Sequence, residues 1–161
     1  MVMNFKTWLG VLFWAIILLA CQRDDFSFSA PTQALRFSKD TLLCDTVYNQ
    51  VRSETYLVKV YNKENKDIRI PKIFLEKNTA SQYRINVDGK SGYSFDNVPI
   101  RALDSLFIFV EIAPNITTTQ AIAEDRIVFE KSTANQFVTL LSVVQDAEFF
   151  ISTKDKPKII S

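Results

Sequence analysis

The chain has 161 residues, with 19 Lys plus Arg against 18 Asp plus Glu, a formal net charge of +1 and no histidine. That balance argues against nucleic acid and against a polybasic membrane patch, since both need an excess of cations. The missing histidine excludes Ser-His-Asp and Cys-His arrangements and any His-containing metal site. The length suits one domain with its own core.

In chain order, Lys6 is the one cation ahead of an uncharged apolar run from Trp8 to Ala20. A basic start, an apolar middle and a small residue before the cut make a secretory signal. The run is shorter than the roughly 20 apolar residues that a membrane span needs. Leu18-Leu19-Ala20-Cys21 closes it and resembles the processing site of bacterial lipoproteins, with Leu19 where that family prefers a small residue. The resemblance implies a helical signal peptide over residues 1–20, removed on processing. It implies that Cys21 carries a diacylglyceryl thioether and an acylated amine, a palmitate-type anchor with membrane lipid as partner.

Both tryptophans, Trp8 and Trp14, lie in that segment, and beyond it 18 cations face 18 acids. With Cys21 committed to lipid, Cys44 is alone and has no partner for an internal disulfide. Its neighbours Leu42 and Leu43 predict burial as a small hydrophobe. Gln22, Arg23, Asp24 and Asp25 follow the lipidated position. They resemble the surface-export signal of Bacteroidetes lipoproteins, which implies the outer face of the outer membrane. Residues 21–33, with Ser27, Ser29, Ala30, Pro31 and Thr32, read as a flexible tether.

Residues 34–151 read as strand after strand. Leu35 and Phe37 alternate with Arg36 and Ser38, and Thr41 to Cys44 forms a short apolar stretch. Glu54 to Asn62 places Tyr56, Val58 and Val60 on one face and Thr55, Leu57, Lys59 and Tyr61 on the other, the period of a half-buried strand. Asn62 to Asp67 is a charged turn. Parity switches at Pro71, between Ile68/Ile70 and Ile73/Leu75, which predicts a bulge or an edge strand. Tyr83, Ile85 and Val87 form a strand closed by Asp88-Gly89, and Tyr93 to Ile100 is extended and broken by Pro99. Leu106 to Ala113 is apolar on both faces, the mark of a central strand. Asn115 to Glu124 reads as a threonine-rich loop. Ile127 to Phe129, Phe137 to Val144 and Phe149 to Ile151 read as strands, and residues 152–161 as a polar tail.

The pattern predicts an all-β antiparallel sandwich. Leu57 to Asn62, Tyr83 to Gly89 and Asp104 to Glu111 resemble an immunoglobulin-like domain of Bacteroidetes surface lipoproteins. In longer relatives this domain precedes a right-handed parallel β-helix. The resemblance implies a non-enzymatic, lipid-anchored cell-surface module acting as spacer, scaffold or adhesion domain. The alternatives are a structural subunit of a fimbrillin-type surface polymer, or a truncated remnant of a longer β-helix protein.

Chemistry-bearing residues are few. Asp88, Asp96, Asp104 and Glu111 could in principle supply a carboxylate pair, but Asp88 and Asp96 also read as turn residues. No metal site and no cofactor are expected, and no enzyme. The partner, a surface protein or a glycan, is left open. Tyr48, Tyr61 and Tyr93 are aromatics outside the clear core parity, and Tyr61 is the best contact candidate because it shares a face with Lys59 and Leu57. Asp40-Thr41-Leu42, Asp45-Thr46-Val47 and Asp104-Ser105-Leu106 resemble the O-glycosylation acceptor of Bacteroidetes exported proteins, with Thr41, Thr46 and Ser105 as acceptors. The same tripeptides are ordinary turn exits into strands. Asn115-Ile116-Thr117 fits a eukaryotic N-acceptor that a bacterial lipoprotein would not use.

Overall fold

The computed structural model describes residues 27–48, 51–114, 121–131 and 134–145. The expected signal peptide, Cys21, Gln22 to Asp25, Asn115, the strand at Phe149 to Ile151 and the tail lie outside the described residues.

The chain folds as an immunoglobulin-like β-sandwich. In order the strands are β1 (Arg36–Phe37), β2 (Thr41–Leu43), β3 (Val47–Tyr48), β4 (Tyr56–Tyr61), β5 (Ile68–Leu75) and β6 (Tyr83–Val87). They continue with β7 (Lys90–Gly92), β8 (Ser94–Ile100), β9 (Ser105–Ile112), β10 (Ile122–Phe129) and β11 (Gln136–Gln145). The first sheet has the order β1-β4-β9-β6-β7, and the second β2-β11-β10-β5-β8 with β3 beside β11. The first strand region is shared between the layers: β1 runs antiparallel to β4, whereas β2 and β3 run parallel to β11. The second sheet is therefore mixed rather than antiparallel.

Period-two alternation builds the core. Val58 and Val60 of β4, Ile108 and Val110 of β9 and Ile85 of β6 are fully buried from one side. Ile70, Ile73, Ile127, Phe129, Val138 and Leu140 meet them from the other. The Phe37 and Phe129 rings lie 4.8 Å apart, closing the end where the chain crosses between sheets. Asp88 and Gly89 take φ of 51° and 78°, the paired left-handed turn that joins β6 to β7.

Several expectations change. The parity switch in β5 is real and involves two strands. Ile70 pairs with Val98 and Lys72 with Asp96, so Pro71 lies opposite Asn97, whose φ is 55°. Pro99 does not break its strand: β8 is the outermost strand, where a missing N–H is harmless. Ile122 to Glu124 is not loop but the start of β10, paired with Val143 to Leu141. Ala, Glu and Asp are poor strand formers, so cross-strand pairing sets the outcome there.

The tether expectation also fails for its described half. Ser29 bridges Ile68: its N–H donates to the Asp67 carbonyl at 3.2 Å, and the Arg69 N–H donates to its carbonyl at 2.8 Å. Arg69 stacks over Phe28 at 4.7 Å. Further along, Lys131 donates to the Gln33 carbonyl, and Gln136 bonds both backbone groups of Leu35. Polar side chains of the domain substitute for a missing strand and hold this segment as a strap.

Candidate interaction face

The middle of the first sheet carries its largest exposed side chains. In β9, Leu106, Ile108, Val110 and Ile112 point inward, while Phe107 and Phe109 point outward and stay 42% and 44% exposed. The strand is central, as its sequence predicts, but its second apolar face is uncovered. Beside it on β4 lie Leu57, paired with Phe109, Lys59, paired with Phe107, and Tyr61, paired with Ser105. Arg84 and Asn86 of β6 flank the other side, opposite Glu111 and Phe109. Arg36 of β1 pairs with Tyr61 and completes the row.

Cations sit on these rings. The Lys59 ammonium lies 4.8 Å from the Phe107 centroid and Lys63 5.1 Å from that of Tyr61. The Lys59 backbone is itself pinned, its N–H donating to Ser38 Oγ at 2.9 Å. Thr55 Oγ1 donates to Glu111 Oε1 at 3.0 Å. Arg84 reaches the Tyr93 hydroxyl, which pushes the guanidinium pKa up, with Glu111 adding to the effect. The face is a flat array of two exposed phenyl rings framed by cations and short polar side chains.

Next to it, an open cleft of about 1180 Å³ is lined by Arg36, Lys63, Asp40, Thr41, Gln136 and Phe137, among others. It follows the gap where β1 leaves the first sheet and β2 enters the second.

Tyr61 is half-buried on this face, under Lys63. Thr41 is exposed on β2 at the cleft, Thr46 is exposed before β3, and Ser105 is half-buried at the start of β9. The Ser105 N–H donates to Asp104 Oδ1 at 2.7 Å, the turn-exit geometry that its sequence also fits. Tyr48 is 42% exposed, whereas Tyr93 packs against the core.

The four carboxylates do not share one site. Asp88 and Asp104 line one hollow with Arg101, and Asp88 and Asp96 line another. Glu111 lies near the far end of β9, about 23 Å along the chain from Asp104 at ~3.3 Å per residue. Among the described residues no group of three or more His, Cys, Asp or Glu could hold a metal ion. No helix among them is long and apolar enough to cross a membrane.

Two residues that the sequence places in a plain charged turn are functional parts of the fold. Asn62 is 2% and Glu64 5% exposed. Asn62 Nδ2 donates to the Lys66 and Arg101 carbonyls at 2.9 and 2.8 Å, and its Oδ1 accepts the Glu64 N–H at 2.9 Å. Glu64 accepts from the Thr32 N–H and hydroxyl and from the Gln33 N–H. Polar residues between strands give no periodic signal, so nothing local marks them as buried.

No family model and no curated protein matches the chain. Among solved structures it is similar to a family 123 glycoside hydrolase from Clostridium perfringens, studied for glycolipid glycan hydrolysis. The identity is 6%, the TM-score 0.51, and the match covers 71% of this chain and 27% of that one. It is also similar to a protein of unknown function from Porphyromonas gingivalis W83, at 12% identity and a TM-score of 0.47, over 70% of this chain and 48% of that one. The chain thus spans about a quarter and about half of these two structures. The hydrolase likeness is one of fold.

Proposed function

We propose that the protein is a non-enzymatic, lipid-anchored module of the bacterial cell surface whose sandwich serves as an adhesion or scaffold domain. The anchor rests on the Leu18-Leu19-Ala20-Cys21 layout, and surface display on Gln22, Arg23, Asp24 and Asp25. The contact role rests on one observation: Phe107 and Phe109 stand half-exposed on the middle strand of a rigid sheet. Exposed aromatic patches on such a scaffold mark interaction sites. The strap adds a consequence. Ser29 is fixed to β5, so at most about 28 Å of extended chain separates it from Cys21 at ~3.5 Å per residue. The module is then held close to the lipid surface. Thr41 and Thr46, exposed in Asp-Thr-apolar tripeptides, are the proposed O-glycan acceptors.

Metabolic labelling with palmitate tests the anchor. Cys21→Ala should abolish the label and the membrane association; persistence of both sinks the reading. Protease shaving of whole cells tests display. Alanine at Arg23, Asp24 and Asp25 together should protect the protein from shaving, and equal shaving of both forms would show that the cluster carries no sorting information.

A further inference from the structure

The two sheets differ in charge in a way that the balanced chain conceals. Strands of the first sheet contain four cations, Arg36, Lys59, Arg84 and Lys90, and one acid, Glu111. Strands of the second contain three cations, Arg69, Lys72 and Arg126, and three acids, Asp96, Glu124 and Asp125. Lys90 pairs with the inward-facing Val87, so on the side that exposes Phe107 and Phe109 the strands set Arg36, Lys59 and Arg84 against Glu111. The one acid there is already engaged by the Thr55 hydroxyl.

We propose that the outer face of β4, β9 and β6 binds an acidic glycan, one bearing uronate carboxylates or sulfate esters. The proposal rests on the contact role proposed above and names its partner. Phe107 and Phe109, two positions apart on one strand, offer rings on which the C–H faces of sugars stack. Lys59, whose ammonium lies over the Phe107 ring at 4.8 Å and would leave it for an acidic group, and Arg84 on the neighbouring strand supply the counter-charges. Thr55, Ser91 and Ser105 lie around the rings and match sugar hydroxyls with short neutral hydrogen-bonding groups. Nucleic acid fits this face less well. Its affinity comes from neutralising a dense run of phosphates, and a flat face with a few separated cations on a balanced chain offers no charged groove for one.

The test uses the full-length protein in a non-glycosidic detergent, passed over immobilised polygalacturonate, dextran sulfate, neutral dextran and a thymidine homopolymer. Retention is expected on at least one acidic polysaccharide and should fall as salt rises. The carboxylate and sulfate arms identify the acidic group. Phe107→Ala and Lys59→Glu should each weaken binding at least tenfold. Phe137→Ala removes an exposed ring from the opposite sheet, where Arg126 covers it at 4.8 Å, and should leave binding unchanged. Should either first variant melt early, Phe109→Ala and Arg84→Glu, both exposed, take their place. Four results overturn the proposal: no retention on either acidic polymer, equal retention on neutral dextran, tighter retention on the thymidine homopolymer, or an equal loss in Phe137→Ala. Palmitate labelling of Cys21 is read on the same preparations. Labelled protein that does not bind sinks the glycan alone, and unlabelled protein that binds sinks the anchor alone.

Discussion

The Thr32 backbone N–H donates to Glu64 Oε1 at 2.7 Å, joining positions 32 residues apart. The Thr32 hydroxyl and the Gln33 N–H donate to the same carboxylate at 2.7 and 2.9 Å, and Lys66 lies 3.4 Å from it. Burial alone would push this carboxyl up. The Gln33 and Thr32 donors and the Lys66 ammonium outweigh it and hold the pKa at about 2. Glu64→Ala leaves those donors without an acceptor and should cost about 1–3 kcal/mol. Limited proteolysis should then cut first between Ser29 and Ala34. The pH dependence follows from the depressed pKa: the clamp's contribution is complete above the ordinary value of 4.5 and is lost as pH falls towards about 2. Melting curves of both forms should therefore converge in acid. A gap that stays constant from pH 6 to pH 2.5 would show that the carboxylate charge is not what holds the strap.

The core and the outer face of β9 separate cleanly in a mutant series. Ile108 is fully buried, so Ile108→Ala should cost about 2–5 kcal/mol through lost burial and a residual cavity. Phe109 is 44% exposed and should lose clearly less on truncation to Ala. Lys59→Ala removes only a surface contact with Phe107 and should change stability by less than about 1 kcal/mol. Urea titration measures all three. Equal losses at Ile108 and Lys59 would mean that the strand faces are assigned the wrong way round.

Strands were legible wherever apolar residues alternate without competition. Tyr56 to Tyr61, Tyr83 to Val87 and Ser105 to Ile112 all announce themselves in this way, and the central place of β9 in its sheet follows from its apolar content. Ile122 to Glu124 was illegible because its strand state depends on β11, which lies more than ten residues downstream. The strap was illegible for a related reason. Ser27 to Gln33 has linker composition, and what orders it is Glu64 and Ile68, distant in sequence. Of the candidate face, Tyr61, Lys59 and Leu57 were visible as one side of a strand. That Phe107 and Phe109 stay uncovered depends on which layers the sandwich has, which periodicity does not report.

Cys44 is half-buried and packed against the core rather than fully enclosed. Burial first, then the neighbouring Asp45 carboxylate, pushes its thiol up to about 11, with Lys39 opposing. Only about one thiol in a thousand is then ionised at pH 8. The native protein should react with a disulfide reagent far more slowly than the urea-unfolded chain, and the native rate should climb steeply above pH 9. Native and unfolded rates that match at pH 8 would show an accessible, unperturbed thiol.

Leu103 sits in the Arg101–Asp104 turn at φ 57°, a left-handed conformation that a leucine adopts at a cost, and it is 68% exposed. Its side chain has little packing to lose. Leu103→Asn should be neutral or stabilise by up to about 1 kcal/mol, because Asn tolerates this region better. A drop in melting temperature would show that the exposed leucine makes contacts worth more than its backbone strain.

Asn62 gives the sharpest test of the turn between β4 and β5. Its Nδ2 faces the carbonyl oxygens of Lys66, Ile100 and Arg101, and its Oδ1 accepts the Glu64 N–H. Asn62→Ala leaves these groups unpaired and should cost about 1–3 kcal/mol. Asn62→Asp keeps the acceptor but sets an anionic oxygen against three carbonyls, so it should cost more than Ala at pH 7 despite being the smaller change in shape. Burial and the facing carbonyls would raise the pKa of that new carboxyl in the folded state. A raised folded value means that the native state takes up the proton, so the deficit should shrink as pH falls from 7 to 5, before Glu64 begins to titrate. Denaturant midpoints of the three proteins at pH 7 and pH 5 measure this. If Asn62→Asp is no worse than Asn62→Ala at pH 7, or gains nothing at pH 5, the Nδ2 donor is not what secures the turn.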